Sequence, residues 1–120
     1  GYNICEKAVQ PIEKKSKFIG YLLRCTTESQ ISAALCSLKS QHKKATHITY
    51  AYRLSSPFDE KPCDDGEPSG TAGRPILSVL QKRDERDVCV FVVRYFGGVK
   101  LGAGGLVRMY SKTAGALLKD

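Results

Sequence analysis

The sequence predicts an α+β domain, a two-layer sandwich with helices on one face of a mainly antiparallel, four-stranded sheet. Strand-like and helix-like segments alternate along the chain, which excludes an all-α or all-β fold. With 120 residues and 42% hydrophobic content, the chain can bury one core without disulfides. We expect a single domain over residues 1–120, in the order strand, helix, strand, loop, helix, strand, loop, helix. An extra N-terminal strand would be compatible with this order.

The first three elements follow from residue type and spacing. Residues 15–25 combine β-branched, aromatic and leucine side chains, which is typical of a strand. Thr27 and Gln30 fit a capping box, the hydrogen-bonded start of a helix. Four apolar residues then recur at the spacing of one helix face: Ile31, Ala34, Leu35 and Leu38. Residues 47–54 predict the second strand, with alternate side chains on opposite faces.

The second half begins with a stretch dense in Pro, Gly, Asp and Ser, residues 55–73, which predicts a loop. A helix follows, with Pro75 near its start, where a missing N–H costs nothing. Residues 87–96 are apolar on both faces, as expected of a central strand that is covered on both sides or deeply buried. The apolar side of a closing helix is formed by Leu106, Val107, Tyr110, Ala114, Leu117 and Leu118.

The net charge of +7 is unevenly distributed along the chain. Residues 55–72 carry a net charge of −4, and the segments on either side carry +6 and +5. A basic body with an acidic loop favours an anionic partner such as RNA. The alternative is that the acidic loop pairs with the domain's own arginines. Because an unpaired arginine on an apolar strand is costly, we expect a carboxylate of this loop to pair with Arg94 or Arg53.

The five cysteines predict free thiols in a reducing cytoplasm. They are widely spaced, no C-x-x-C pair occurs, and neither His42 nor His47 lies at zinc-ligand spacing from a cysteine pair. No signal peptide or transmembrane run is visible, so we predict a cytoplasmic protein that does not bind membranes, metals or cofactors. Since the chain begins with glycine, we expect a processed product or a domain cut from a longer chain.

A glycine-rich segment follows the most apolar strand and precedes the last helix. Helix amino termini attract anions, and glycine lets a ligand approach the backbone closely. The segment therefore predicts a site for an anion, an RNA backbone or a partner, formed by Arg94, Gly97, Gly98, Lys100, Gly102, Gly104, Gly105 and Arg108. A purely structural turn and a protein-docking loop are the alternatives. The nucleotide-binding motifs fail, since Ala103 replaces the Walker A lysine and Val107 the third glycine of a dinucleotide fingerprint.

Catalytic signals are sparse. Ser69 lacks the glycine two residues earlier that a nucleophile elbow requires, and the acidic loop lacks the alternate spacing of a calcium loop. His47 is a candidate base and Cys63 a candidate nucleophile, but no local segment assembles a nucleophile, a base and an orienting group. We predict no catalytic residues and keep a small hydrolase as the second hypothesis. A cleft holding His47 and Asp64 within hydrogen-bonding reach would favour that hydrolase.

Two long stretches, "CDDGEPSGTAGRPIL" and "VVRYFGGVKLGAGGLVRMY", resemble the N-terminal domain of the YigZ/Impact family. "KSKFIG" and "HITYAYR" lie in the expected order before them, so the resemblance covers essentially the whole chain. Met109 stands where the family usually has alanine. In the first stretch the family's motif positions are Asp64, Asp65, Gly66, Glu67, Gly70, Thr71 and Gly73. In the second they are Arg94 and the five glycines already named, and His47 and Tyr52 mark the upstream motif.

The resemblance implies a fold like domain 2 of ribosomal protein S5 and a role in regulating translation under stress. In the family, bacterial members add a ferredoxin-like domain after this one, and eukaryotic members place an RWD domain before it. Our leading hypothesis is a non-enzymatic, translation-associated regulatory domain that binds RNA, a ribosome-associated surface or a regulatory protein. A pure protein-docking module is a further alternative.

Overall fold

A computed structural model describes residues 7–119, which form one six-stranded sheet and three helices. The α+β class and the antiparallel character of the sheet are confirmed. In chain order, the elements are β1 (Lys7–Val9), β2 (Ile12–Glu13), β3 (Ser16–Arg24), α1 (Glu28–Gln41), β4 (His47–Ser55), β5 (Phe58–Cys63), α2 (Gly73–Lys82), β6 (Val88–Tyr95) and α3 (Gly102–Leu117).

The sheet has six strands rather than the four expected. Its order is β1-β3-β6-β4-β5, and β2 pairs with β3 beside β1. The two short N-terminal strands extend one edge, and β5 forms the other edge inside the segment predicted to be a loop. Because β5 contains charged residues and Pro62, the sequence does not indicate a strand there. Because β5 pairs only with β4, proline is tolerated there, as it is on edge strands generally.

Helices cover both faces of the sheet, so the predicted arrangement with every helix on one face needs correction. Val88, Val90 and Val92 of β6 belong to the core that contains the apolar residues of α2 and α3. The alternate residues Cys89 and Phe91 belong to a second core with those of α1. The physical reason is that β6 is apolar on both faces, so helices must cover both faces from water.

The helix starts follow the sequence signals at α1 and α2 and depart from them at α3. Thr27 and Gln30 form the expected capping box, since each side chain accepts a hydrogen bond from the other's backbone N–H, at 3.2 and 3.1 Å. Helix α2 begins at Gly73, with Pro75 in its first turn. Helix α3 begins at Gly102, four residues before the apolar periodicity, and Gly102 has a φ of +77°, which favours glycine.

Four of the five cysteines lie in the described region, and all four are free thiols: Cys25, Cys36, Cys63 and Cys89. Cys5 lies outside the described residues. Burial, reinforced by the charge of Asp87, raises the pKa of Cys25 to about 11. No helix within residues 7–119 combines the length and hydrophobicity that crossing a membrane would require.

Candidate functional site

A cleft of about 390 Å³ lies where the two long sequence motifs meet. The end of β6, the start of β4, the loop before α2 and the start of α3 converge there. The residues that line it are Thr46, His47, Glu67, Pro68, Arg94, Phe96, Lys100, Leu101, Gly102, Ala103 and Leu106. The fold thus brings Glu67 of the acidic loop to Arg94, which lies 27 residues further along the chain, and to Lys100.

A buried ion pair forms one wall of the cleft. Nη1 of Arg94 lies 2.9 and 3.0 Å from the two carboxylate oxygens of Glu67, and the two side chains are only 7% and 2% exposed. The Arg94 guanidinium also lies over the rings of Phe18 and Phe96, 5.6 and 5.5 Å from their centroids. The predicted pairing of the acidic loop with Arg94 is confirmed, and Arg53 pairs with Glu60 of the same segment at 2.9 Å.

Glu67 is the acceptor at the centre of a larger network. Tyr110 of α3 donates its hydroxyl to Glu67 at 2.5 Å, and burial together with this carboxylate raises the pKa of Tyr110. Nε2 of His47 lies 3.3 Å from Glu67, and Nδ1 lies 2.8 Å from the carbonyl oxygen of Asp65. Both ring nitrogens of His47 therefore face oxygen acceptors. The network ties β4, β6 and α3 to the acidic loop.

The remaining acidic residues of the motif shape the loop itself. The Asp64 carboxylate accepts hydrogen bonds from the backbone N–H groups of Gly70, Ala72 and Gly73, at 2.9 to 3.1 Å. Burial opposes ionisation of Asp64, but these bonds and the charge of Arg74 outweigh it and lower its pKa. Asp65 accepts from the N–H of Ile48 at 2.7 Å. Within the described residues, no group of three or more His, Cys, Asp or Glu side chains could hold a metal ion.

The rest of the acidic-loop motif surrounds these bonds. The Thr71 hydroxyl donates to the carbonyl oxygen of Pro68 at 2.6 Å. Gly66 and Gly70 lie in the loop at positive φ.

The glycine-rich segment reaches the cleft in part. Lys100 and Gly102 line it, whereas Arg108 is exposed one turn and a half further along α3. Gly97 packs on the β2–β3 turn so closely that a Cβ would lie 2.1 Å from the carbonyl oxygen of Lys15. Three other glycines of the prediction lie beside the cleft without lining it: Gly98, Gly104 and Gly105.

The residues of this site belong to a known domain family. The sequence profile of the Impact N-terminal domain matches residues 14–118. The chain belongs to the IMPACT family. It is 50% identical over 101 residues to IMPACT family member YvyE of Bacillus subtilis, an alignment covering 83% of this chain and 46% of that protein. It is 39% identical over 100 residues to IMPACT family member YigZ of Escherichia coli, covering 81% and 49%.

Solved structures support the assignment. A crystal structure described as that of a hypothetical protein matches with a TM-score of 0.84 and 33% identity, covering 92% of this chain and 55% of that one. The two-domain translational regulator Yih1 matches with a TM-score of 0.61 and 27% identity, covering 96% and 45%. The chain spans about half the length of the YvyE and YigZ relatives it matches.

In this IMPACT domain, His47 and Asp64 do not form the hydrogen-bonded pair that would favour a hydrolase. His47 meets Glu67 and the Asp65 backbone, while Asp64 is engaged by three backbone N–H groups. Cys63 lies beside Tyr50, and burial, followed by the interaction with Cys63, raises the pKa of that tyrosine to about 12.

Tyr52, the other residue of the upstream motif, is buried away from the cleft. Its hydroxyl donates to Asp59 at 3.0 Å. Burial, followed by this bond, raises its pKa.

Sequence reasoning named Lys100 but missed the other lysines around the cleft of this IMPACT domain. The cleft lies at the end of β6, and lysines from three separate segments surround that end. We call them the lysine rim: Lys14, Lys15, Lys17, Lys43, Lys44 and Lys100. The clusters "KKSK" and "HKK" were visible in the sequence. Only the strand register, however, shows that they lie together.

Proposed function

We propose that this IMPACT domain acts in the regulation of translation in the cytoplasm by binding RNA through the lysine rim. Its membership of the IMPACT family and its likeness to the translational regulator Yih1 support the translational role. The observation that carries the RNA-binding part is a group of lysines at one end of the sheet that form no ion pair with a described residue, whereas Arg24 and Arg53 at the other end are ion-paired.

The strand pairing and loop contacts place the rim lysines around the end of β6. Lys17 pairs across the sheet with Tyr95, and its ammonium lies 5.1 Å from the centre of that ring. Lys15 contacts Gly97. His42, which precedes Lys43 and Lys44, shares a hydrogen bond of 2.6 Å with the Tyr95 hydroxyl. Lys100 completes the rim at the cleft.

The rim lysines and the arginines at the opposite end of the sheet differ in how they are partnered. Among residues 7–119, none of the rim lysines has an acidic oxygen within 4.0 Å. At the opposite end, Arg24 pairs with Glu85 at 2.7 Å, and Arg53 pairs with Glu60 at 2.9 Å. A cluster of unpaired lysines produces the local positive potential that attracts a phosphate backbone. Exposed rings beside it, Phe96 above all, are typical of single-strand binders.

The β2–β3 turn contains two rim lysines whose backbone angles are unfavourable for lysine. Lys14 and Lys15 have φ angles of +47° and +67°, the left-handed region in which asparagine and glycine are favoured. Lysine at both positions costs stability, and neither lysine forms an ion pair with a described residue. Residues that break a local rule without a structural gain are expected where function requires them.

The test is a titration of a short, labelled single-stranded RNA with the protein by fluorescence anisotropy over a potassium chloride series. The logarithm of affinity should fall with the logarithm of salt by roughly 0.7 for each lysine contact. The variant Lys43→Ala/Lys44→Ala/Lys100→Ala should therefore bind more weakly and show a slope shallower by up to about 2.

A matched control removes three exposed lysines outside the rim: Lys61→Ala, Lys82→Ala and Lys112→Ala. Because the loss of net charge is the same, a rim-specific effect separates local binding from general attraction. The proposal fails if the two triple variants have the same affinity and slope. It also fails if the wild-type protein does not bind RNA at low salt, and a protein partner then becomes the leading hypothesis.

A further inference from the structure

The cleft beside the lysine rim offers more than a positive surface. Its walls include an exposed aromatic ring, an exposed ammonium group and the amino end of a helix of sixteen residues. Its volume of about 390 Å³ lies within the range of small-molecule sites, which are typically ~300–1,000 Å³. A phosphate backbone alone would not need such a recess, so the lining indicates a further ligand group.

Phe96 supplies a stacking surface at the mouth of the cleft. The ring is 45% exposed although it follows the buried strand β6. The guanidinium of Arg94 lies over this ring and also over the ring of Phe18, 5.5 and 5.6 Å from their centroids. The exposed part of the Phe96 ring is available for stacking. Planar bases stack on aromatic side chains regardless of sequence, since every base has a π-face.

The opposite side of the cleft suits an anion. Lys100 is exposed, and helix α3 begins two residues later without a side-chain cap on its first N–H groups. Uncapped N–H groups and the helix dipole favour a phosphate at such a position. Pro68, Leu101 and Leu106 make the lining between these groups largely apolar.

A second and independent observation points to a ligand. Arg94 lines the cleft and is 6% exposed, yet its buried Nε finds no hydrogen-bond acceptor among the described residues. Buried donors are nearly always paired, because an unpaired one retains the full cost of desolvation. Arg94, a wall residue of the cleft, therefore retains one donor for which the described residues supply no acceptor.

We propose that the cleft binds one unpaired nucleotide of single-stranded RNA, with the base against Phe96 and a phosphate at Lys100 and the start of α3. This inference rests on the proposed RNA binding and deepens it. The lysine rim would hold the flanking backbone, while the cleft would require a free base. Duplex RNA should bind more weakly than a single strand of equal charge, because its bases are stacked inside the helix.

The experiment compares a labelled oligouridylate with an abasic oligomer of the same length and backbone charge. Wild-type protein should bind the oligouridylate about tenfold more tightly or better, the range that one stacked base contributes. Phe96→Ala should reduce binding of the oligouridylate to the abasic level, while Phe96→Tyr should retain the preference. Phe58→Ala is the matched control, since Phe58 is 63% exposed on β5 at the far end of the sheet.

A second variant tests the same site in case Phe96→Ala does not fold. Ala103 lines the cleft and is exposed, so Ala103→Trp should fill the recess without disturbing the Arg94 pair. It should abolish the preference for bases and make the salt slope shallower by no more than about 0.7, the share of one phosphate contact. Equal wild-type affinity for the two oligomers overturns the nucleotide site but leaves backbone binding by the rim intact. Failure of the wild-type protein to bind either oligomer overturns both proposals.

Discussion

At the residue scale, the centre of the site is an ion pair whose two members depend on each other. Glu67 accepts hydrogen bonds from Arg94 and Tyr110 while almost fully buried. The sequence indicated that Arg94 needed an acidic partner, because it lies in an otherwise apolar strand. It could not indicate which of the five acidic residues in 55–72 would reach it, since the choice depends on the path of the loop.

Breaking this pair should destabilise the protein strongly. Glu67→Gln leaves the Arg94 charge buried without a counter-charge, which costs about 3–5 kcal/mol in comparable cases. Arg94→Met should cost a similar amount, because it leaves the carboxylate uncompensated. The double variant should lose less than the sum of the two, since neither charge then remains. Urea unfolding of all four proteins measures this coupling, and additive losses would show that the residues do not act as a pair.

At the element scale, the β2–β3 turn has lysines at two positions whose backbone angles favour other residues. Replacing Lys14 and Lys15 by Asn and Gly gives the residues that favour the positive φ angles observed there. We expect this variant to be more stable by about 1–2 kcal/mol, the strain that left-handed backbone imposes on non-glycine residues. Thermal unfolding measures the gain, and an unchanged or lower Tm would contradict it.

The same substitution should reduce RNA affinity, because it removes two positive charges from the rim. A gain in stability together with a loss of binding would indicate that the lysines are kept for function. Lys14→Gln/Lys15→Gln separates the two effects, since it removes the charges but not the strain. That control should bind like the Asn-Gly variant and unfold like the wild-type protein.

Other elements departed from the sequence prediction for reasons of packing or position. Strand β5 was missed because it contains charged residues and Pro62, which are typical of an edge strand. Among the described strands, it pairs with β4 alone. Helix α3 begins at Gly102 rather than at the first periodic apolar residue, Leu106. Glycine-rich sequence carries no helical signal, and tertiary contacts to the sheet override its low propensity.

At the scale of the whole molecule, the core was predictable and the site only partly so. The apolar pattern of residues 87–96 indicated a central strand, and β6 occupies the middle of the sheet. Strand order and register are long-range properties that no local window contains. The lysine rim and the cleft arise only when the register brings residues 14–17, 43–44 and 94–106 to one end of the sheet.

The stability of the whole molecule should fall on acidification in two steps. Burial, and secondarily the charge of Lys17, lowers the pKa of His42, whose ring lies between the hydroxyls of Tyr21 and Tyr95. Below about pH 6.5 the unfolded chain therefore takes up a proton that the native state resists, and stability decreases as the pH falls towards the native pKa. Asp64, whose pKa is lowered, adds a second loss as the pH falls below 3.8.

The free energy of unfolding in urea, measured at a series of pH values, tests the upper step. His42→Gln keeps a hydrogen-bonding side chain between the two tyrosines but cannot take up the proton. The wild-type curve should therefore bend downward below about pH 6.5, and the variant's curve should lack that contribution. A wild-type protein that becomes more stable on mild acidification would contradict the lowered pKa. Curves of equal slope in the two proteins would assign the transition to a group other than His42.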